Sequence, residues 1–506
     1  MGSRVRLAKV YTGYAEGLTG KIYEIEVALS PGIPYFDVIG KCDPSIRESG
    51  GRIKSALISS GFDFPKGRIT VSISPAYVKK SGSSFDLPIA VCILIASGQL
   101  IVEQGKTIYA EGELSLNGQI KGTPGASVRL SAAGTYDYCL VPQDEADKLI
   151  FPCTFLMYLS HLKGISDSLI DVWYTPQNVT GNLSGPEIAE DILDYSEIKG
   201  QPKALRSVLI AASGWHNLLL LGSPGCGKSS CGKMIAGLMP PMTIDEASKV
   251  LLMRGALGEE DDMSYPQRPS LYIHPGITAS RLIGSSHKLI PGEFSLADQG
   301  ILFADELCEY KSDILDLLRI PLEEHKIRHI KDGVSHEFPA DFLFVGAGNP
   351  CRCGMLYETD EVCTCTPAVK KRYLGRLSGP LLDRIDLYCE MRKIKGEDLK
   401  KITDKQSKDM NRVLRDQVQS AWQIQEERYK DIGIRFNGRY EGADSEILRA
   451  DKETVDYATD VAQKAGFSAR GFCKLMRVGR TIADLDQRKD MTVSDISEAA
   501  VYRRRI

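Results

Sequence analysis

Residues 218–230 read LLLLGSPGCGKSS, four leucines that lead into a glycine-rich turn ending in lysine and serine. The turn fits the spacing G-x-x-x-x-G-K-[ST], and the residues after it predict a helix. Strand, loop and helix in this order are typical of a phosphate-binding loop, because glycines let backbone N–H groups face phosphate oxygens and the helix start adds its dipole. The stretch therefore predicts a nucleotide site in an α/β domain with a parallel sheet.

Each residue type in this loop has an expected role in nucleotide binding. Lys228 is expected to reach the β- and γ-phosphates, and Ser229 to ligate Mg²⁺. ATP and Mg²⁺ are therefore the expected cofactors. The full predicted cofactor-binding set is Gly222, Ser223, Pro224, Gly225, Cys226, Gly227, Lys228, Ser229 and Ser230.

Two further apolar stretches predict strands that end in polar residues. GILFADEL ends in the pair Asp305 and Glu306, and FLFVGAGNP ends in Asn349. We expect Asp305 to hold Mg²⁺, Glu306 to polarise the attacking water, and Asn349 to orient that water. The alternatives are an acid pair that caps the next helix and a turn asparagine before Pro350. Phosphate loop, acid pair and asparagine in this order are the layout of AAA+ ATPases.

The composition limits the class of protein. A chain of 506 residues is too long for one core, and its net charge of −3 means that any surface for nucleic acid must be local. The sequence contains no run of eighteen apolar residues, and because its first residues lack an apolar core we do not expect them to act as a signal peptide. The 13 cysteines are scattered apart from one group, which favours a reducing cytosol over a disulfide framework. We expect a cytoplasmic protein without membrane contact.

The pattern of strands and helices predicts four segments. Residues 1–165 alternate short apolar runs with glycine and proline turns, as a mixed α+β domain does. Residues 166–195 collect proline, glycine, asparagine and serine and predict a linker. Strands alternate with helices over 196–395, the predicted AAA+ ATPase core, and 396–506 are charged and helical, as expected for a lid domain.

Several motifs together resemble the magnesium-chelatase-like AAA+ family, and within it the bacterial ComM/YifB proteins. They are GQPKALRSVLIAASGWHNLLLLGSPGCGKS, PGEFSLADQGILFADEL, GNPCRCG and GRLSGPLLDRIDL. The similarity covers almost the whole chain, including the segment 33–100 and SARGFCKLMRVGRTIADLD. It implies an ATPase that forms a homo-oligomeric ring, expected to be a hexamer. It also implies helicase and branch-migration activity on single-stranded or branched DNA during recombination of incoming DNA.

The resemblance also implies roles for two arginines. The arginine of LLDR, here Arg384, acts in chelatase-like proteins on the nucleotide of the neighbouring subunit, where a guanidinium stabilises charge on the transferred phosphoryl group. Arg470 in SARG matches the position at which a helical lid senses the γ-phosphate, and Arg376 is a second candidate. For Arg384 a salt bridge to Asp383 or Asp386 is the structural alternative.

Four cysteines form the pattern C-x-C-x9-C-x-C: Cys351, Cys353, Cys363 and Cys365. Four thiolates on two short arms suit tetrahedral Zn²⁺, and the loop between them is too short to build a core of its own. Reduced cysteines without a metal are the alternative. Because four protein ligands leave no open position, a catalytic zinc is not expected. We expect structural zinc in an insertion at 351–365.

The first domain resembles the Lon-protease fold, whose peptidases use a serine and a lysine. Ser83 or Ser84 falls near the nucleophile position, but the lysine position holds Ala126 or Ser127, and Lys121 lies too early in the sequence. A serine without a base is an ordinary hydroxyl, so we expect a domain without proteolytic activity. A Lon-like peptidase and a magnesium-chelatase-type metal-insertion motor are the alternative functions.

Residues 323–338, EEHKIRHIKDGVSHEF, predict a β-hairpin around Asp332 and Gly333. In related AAA+ helicases an insertion at this place enters the pore, where positive charge tracks phosphates. A solvated hairpin without contact to DNA is the alternative. The hairpin carries the basic residues Lys326, Arg328, His329 and Lys331.

Overall fold

A computed structural model describes most of the chain. The described residues are 5–76, 78, 80, 82–133, 136–148, 156–165, 200–259, 267–358, 361–393 and 404–503. The predicted linker at 166–195 lies outside them.

The helices and strands of the described residues alternate along the chain. The strands are β1 (Arg6–Glu16), β2 (Thr19–Ser30), β3 (Tyr35–Ile39), β4 (Arg68–Ser74), β5 (Ile108–Ala110), β6 (Glu113–Leu114), β7 (Ile120–Lys121), β8 (Tyr138–Pro142), β9 (Leu156–Leu159), β10 (Leu218–Gly222), β11 (Ser270–Ile273), β12 (Gly284–Ser285), β13 (Ile290–Pro291), β14 (Ile301–Ala304), β15 (Lys326–Lys331), β16 (Val334–Pro339), β17 (Leu343–Gly348) and β18 (Leu387–Met391). The helices are α1 (Pro44–Arg47), α2 (Ser49–Ser59), α3 (Asp86–Ser97), α4 (Ala126–Leu130), α5 (Pro202–Gly214), α6 (Lys228–Leu238), α7 (Ile244–Leu257), α8 (Ala279–Ile283), α9 (Glu293–Leu296), α10 (Ser312–Leu317), α11 (Pro321–Glu324), α12 (Pro367–Leu374), α13 (Gly379–Leu382), α14 (Asp404–Tyr429), α15 (Lys452–Ala465), α16 (Ala469–Leu485) and α17 (Val493–Val501).

The chain divides into two compact units. The first comprises residues 1–185, 244–263 and 286–291, and the second comprises 186–243, 264–285 and 292–506. Helix α7 therefore groups with the N-terminal unit, although the sequence pattern placed it inside the ATPase segment. The remaining domain boundaries stay predictions.

The first unit is built on a seven-stranded mixed sheet in the order β3-β4-β2-β1-β5-β8-β9. β1 and β2 pair in antiparallel register along their whole length, and alternate residues such as Val10 and Ile25 face the core. Helix α3 packs on these two strands and is buried on nearly every side, which explains why its sequence is almost entirely apolar. Its one acid, Asp86, is buried and forms an ion pair with Arg52 (2.8 Å).

The second unit contains a five-stranded parallel sheet in the order β11-β14-β17-β10-β18. Strands β10, β14 and β17 are completely buried, because they are the inner strands and helices cover the sheet. The predicted α/β class with a parallel sheet is confirmed. The carboxyl ends of these three strands meet at one edge, so the residues that follow them lie close together.

The C-terminal helices α14 and α16 pack on α5 of the same unit. An aromatic cluster joins them: the ring centroids of Trp215 and Phe436 are 4.7 Å apart, and the guanidinium of Arg268 lies 5.0 Å from the ring of Trp422. The function of these helices as a lid stays a prediction. Within the described part of the chain, no helix has the length and apolar character that crossing a bilayer requires.

Candidate nucleotide-binding site

The loop after β10 has the backbone that phosphate binding requires. Gly225 and Gly227 adopt φ values of +77° and +93°, a left-handed conformation that favours glycine. Helix α6 begins directly afterwards at Lys228, so its free N–H groups and its dipole point toward the loop. The sequence motif has therefore folded into a loop that can hold phosphate oxygens.

Lys228 lies at the base of this loop and contacts the end of the neighbouring strand. Its Nζ donates to the carbonyls of Gly222 (2.7 Å) and Ser223 (3.0 Å) and to Oδ1 of Asn349 (3.3 Å). Strands β10 and β17 are adjacent and parallel, which is why residues 121 positions apart meet. The ammonium group of Lys228 and the amide of Asn349 thus lie next to each other, where the γ-phosphate is expected to bind.

Ser229 and Asp305 form the second pair of the cleft. The hydroxyl of Ser229 donates to Oδ2 of Asp305 (3.0 Å), and the N–H of Glu306 donates to Oδ1 of the same carboxylate (2.8 Å). A hydroxyl and a carboxylate are oxygen ligands of the kind that Mg²⁺ takes, so this pair fits the predicted metal. Glu306 is exposed beside them and has a left-handed backbone, φ +50°. Its part in hydrolysis stays a prediction.

Arg384 and Arg470 lie together elsewhere in the second unit. Nε of Arg384 donates to the Arg319 carbonyl (3.0 Å), its Nη2 is tightly paired with Glu323, and Nη2 of Arg470 lies 2.7 Å from Oε1 of Glu323. Burial and the nearby Arg470 lower the pKa of Arg384. We call Arg384, Arg470 and Glu323 the arginine cluster. Among the described residues it shares no contact residue with Lys228 or Ser229.

The structure also gives the partners of the acids next to Arg384 and of the second candidate, Arg376. The acids next to Arg384 in sequence are not its ion-pair partners: Asp386 is paired with Lys474 (2.9 Å) instead. Arg376 donates to the Cys308 carbonyl (2.6 Å) and pairs with Glu309 (3.2 Å), just after the acid pair. Arg376 therefore braces the turn that follows β14.

Comparison with known proteins agrees with this arrangement. Three family models match: "Magnesium chelatase, subunit ChlI" over residues 194–399, "Subunit ChlI of Mg-chelatase" over 25–145, and "Magnesium chelatase, subunit ChlI C-terminal" over 408–503. The competence protein ComM of Haemophilus influenzae is 34% identical over 98% of this chain and 97% of its own length. The chain belongs to the ComM/YifB type of the magnesium-chelatase-like AAA+ family.

More distant relatives fit the same family. YifB of Salmonella typhimurium is 31% identical over 98% of this chain and 97% of its own length. The magnesium-chelatase subunit ChlI of Cyanophora paradoxa is 22% identical over 60% of this chain and 87% of its own. Membership implies that the protein is an ATPase that uses ATP and Mg²⁺, as the residues of the cleft also indicate.

This ComM/YifB-type chain also brings its four clustered cysteines together. The Sγ atoms of Cys351, Cys353 and Cys363 are 3.4–3.6 Å apart, and all four Sγ atoms, including that of Cys365, lie within 4.8 Å of one another. Tetrahedral ligands at about 2.3 Å from zinc would be about 3.8 Å apart, whereas a disulfide measures about 2.05 Å. A hydrogen bond from the Met355 backbone lowers the pKa of Cys353 to about 6, whereas burial raises the pKa of Cys351 to about 12. The donor set therefore fits zinc.

The predicted hairpin is confirmed as β15 and β16, joined by Asp332 and Gly333 with positive φ. Most of its basic groups have partners. Lys326 and Arg328 share the carboxylate of Glu337 (2.8 and 3.1 Å), and Arg328 also pairs with Glu324 (3.3 Å).

The remaining residues of the hairpin add little positive charge. His329 is buried, its Nε2 lies 3.0 Å from the Ile283 carbonyl, and burial lowers its pKa, so it is uncharged at neutral pH. Next to Lys331 at the tip, Ile330 and Val334 are 70% and 58% exposed. The tip thus combines these apolar residues with Lys331 and the exposed acid Asp332, and its field is less positive than the sequence indicates.

Among the described residues, no hydrogen bond joins Ser83 or Ser84 to a lysine. The hydroxyl of Ser83 donates to the carboxylate of Glu113, which is an acceptor, and Ser84 is buried. Ser127 is buried where the lysine is expected, and its hydroxyl donates to the Leu251 carbonyl of helix α7 (3.4 Å). Helix α7 thus lies against the position that a Lon-type lysine would occupy. Similarity of this unit to the Lon fold itself stays a prediction.

Sequence reasoning missed two acids that contact the predicted functional residues. Glu323 lies at the start of the predicted hairpin segment and Glu358 between the cysteine pairs, and no motif marks either of them. Their partners Arg384 and Ser223 lie 61 and 135 positions away in the chain. No local spacing indicates such contacts, because only the folded chain brings these residues together.

Proposed function

We propose that this protein is an ATP-driven ring motor that moves along DNA. The observation that carries the proposal is the meeting of Lys228 with Asn349 and of Ser229 with Asp305 at one edge of the parallel sheet. Lys228 would hold the β- and γ-phosphates and Asn349 the attacking water. Mg²⁺ held by Ser229 and Asp305 would neutralise phosphate charge, and Glu306 would take the proton of the water.

The arginine cluster supports a site that two subunits complete. Within one chain, Glu323 pairs with both guanidinium groups, and among the described residues no hydrogen bond joins either of them to the phosphate loop. In a ring, the γ-phosphate bound by the neighbouring subunit would replace Glu323 as the partner of both arginines. Their guanidinium groups would then stabilise the negative charge of the phosphoryl group in the transition state. We propose a homo-oligomer on this basis, and the family resemblance gives six as the expected number of subunits.

Two observations favour DNA as the track. The relative with 34% identity is named a competence protein, and competence is the uptake of DNA. The hairpin tip carries Lys331 together with two exposed apolar residues, Ile330 and Val334, and with Asp332 in the turn. A lysine can contact one phosphate, and apolar side chains can pack on unstacked bases. We propose helicase and branch-migration activity on this basis.

The four-cysteine group is proposed to hold one structural zinc. Metal analysis of the purified protein should give about one equivalent per chain, because four converging thiolates bind zinc tightly at neutral pH. Less than about half an equivalent in protein purified without chelators would contradict this part of the proposal.

Hydrolysis of ATP with and without single-stranded and branched DNA tests the motor. Wild-type protein should be stimulated by DNA, and Glu306→Gln should bind ATP but lose turnover by at least about a hundredfold. Asp313→Asn, an exposed acid on α10, is the matched control and should behave as wild type. Turnover that ignores DNA would contradict the translocase and favour a metal-insertion motor like the ChlI relatives.

A further inference from the structure

The described residues of the cysteine loop, 351–358 and 361–365, include two that contact the phosphate loop. The hydroxyl of Ser223 donates to the carboxylate of Glu358, and the backbone N–H of Lys393 donates to the same oxygen (3.0 Å). On the other side of the loop, Gly354 packs on Pro224 so closely that a Cβ would lie 2.6 Å from Cδ of the proline. Two residues of the phosphate loop therefore touch the segment that carries the cysteines.

The Glu358 contact is of a strong kind. A hydrogen bond to a carboxylate is roughly twice as strong as one between neutral groups. Ser223 is completely buried, so if Glu358 were removed, no water could take its place as the hydrogen-bond acceptor of the Ser223 hydroxyl. Through Ser223 and Lys393 this one carboxylate joins the loop after β10 to the end of β18. Its removal would free the first turn of the phosphate loop.

The position of Glu358 depends on the cysteines. Cys353 precedes it by five residues and Cys363 follows it by five, and the Sγ atoms of these two cysteines are 3.5 Å apart. Cys351 follows Asn349 after a single proline. A metal that fixes the sulfurs therefore fixes both ends of the segment bearing Glu358, and it anchors the residue beside the amide of the cleft.

We propose that Glu358 is a positioning residue for the phosphate loop, and that zinc in the four-cysteine site sets its position, so nucleotide affinity depends on zinc. The inference rests on the proposed zinc site and on the nucleotide site of the proposed function. It does not depend on DNA or on ring formation, because every contact it uses lies within one chain.

Four variants of the full-length protein test it, with zinc content and the Kd for a fluorescent ADP analogue measured in the same samples. Glu358→Ala should keep its zinc but bind nucleotide about tenfold more weakly, as expected for a lost charge-assisted bond. Glu358→Gln retains an acceptor oxygen and should stay within about threefold of wild type. Cys363→Ser should lose zinc and weaken binding by about tenfold as well.

The matched control lies on the same loop. Glu361 pairs with the side chain of Lys393 at an exposed position and does not contact the phosphate loop in the described structure. Glu361→Ala should change neither zinc content nor Kd by more than about twofold. If the contact and the metal act through one path, the double variant Cys363→Ser/Glu358→Ala should be no weaker than either single variant, because coupled effects do not add.

Chelation of wild-type protein replaces the cysteine variant if that variant does not fold. Removal of zinc should weaken nucleotide binding about tenfold, and zinc added back should restore it. An unchanged Kd in Glu358→Ala, or in protein shown to lack zinc, would overturn the inference. Since no DNA is present, a failure of DNA stimulation overturns only the translocase, whereas wild-type protein that binds no nucleotide overturns both proposals.

Discussion

The nucleotide cleft and the arginine cluster use the same kinds of charged group but pair them differently. In the cleft, Lys228 and Ser229 contact Asn349 and Asp305, groups that would all face one ligand. In the arginine cluster, two cations are held by one acid, Glu323, which would not face the nucleotide of its own chain. The contacts among these cleft residues thus form within one chain, whereas the proposed shared site requires both arginines to leave Glu323 for the phosphate of a neighbouring subunit.

Removal of Arg384 tests this difference most severely. Arg384→Ala should lower kcat by about a thousandfold, as loss of a trans arginine does, while the Kd for nucleotide changes little. The measurements are steady-state hydrolysis and binding of an ADP analogue. A Kd that rises while kcat falls would place Arg384 in the cleft of its own chain.

Removal of Lys228 should mainly raise the Kd for nucleotide, whereas removal of Arg384 should mainly lower kcat. Lys228→Ala should weaken nucleotide binding by about a hundredfold, because the phosphates lose their principal cation. Mixing this variant with Arg384→Ala should restore part of the turnover, since some interfaces then combine an intact cleft with an intact arginine. A mixture that is as inactive as either variant alone would contradict a site shared between two subunits.

Replacement of the shared acid has a smaller expected effect. Glu323→Gln should lower kcat by about fivefold without changing the Kd, because both arginines lose the carboxylate that orients them before a neighbour binds. Glu324→Gln is the matched control: it is the next residue in the same helix, and its partner is Arg328 of the hairpin. Equal effects of the two variants would show that Glu323 contributes only general charge.

The same contrast explains how far the sequence could predict the structure. The cleft was predictable because its residues follow strands of one parallel sheet, and each strand has its own apolar pattern. The predicted meeting of Ser229 with Asp305, and of Lys228 with Asn349, depends on little more than strand order.

Other contacts depend on how whole elements pack. Glu323 meets Arg470 across 147 positions, and helix α7 lies with the first unit although neighbouring segments belong to the second. The hairpin was predicted from its turn, but neutralisation of Lys326 and Arg328 by Glu337 depends on cross-strand register. Charge counted along a sequence overestimates the charge that a surface presents.

Glu145 in the first unit is a buried acid that forms no ion pair in the described structure, in contrast to Glu323. Oε1 accepts the Thr123 N–H (2.8 Å), and Oε2 is buried without a hydrogen-bond partner among the described residues. Burial, then the nearby Glu111, raises its pKa from 4.5 to about 8. The folded protein therefore keeps this proton up to about pH 8, whereas the unfolded chain loses it near pH 4.5.

Stability from Glu145 is consequently complete below pH 4.5 and is lost as pH rises through about 8. Glu145→Gln is neutral at every pH and should remove this loss, which raises the thermal midpoint of the first unit by about 2–4 °C at pH 8. Near pH 5 the variant and wild type should melt alike. Glu323→Gln should show no such divergence, because Glu323 is exposed and forms ion pairs with Arg384 and Arg470, whereas Glu145 is buried. A midpoint difference for Glu145→Gln that does not grow with pH would mean that the buried carboxyl is ionised in the folded protein and paired after all.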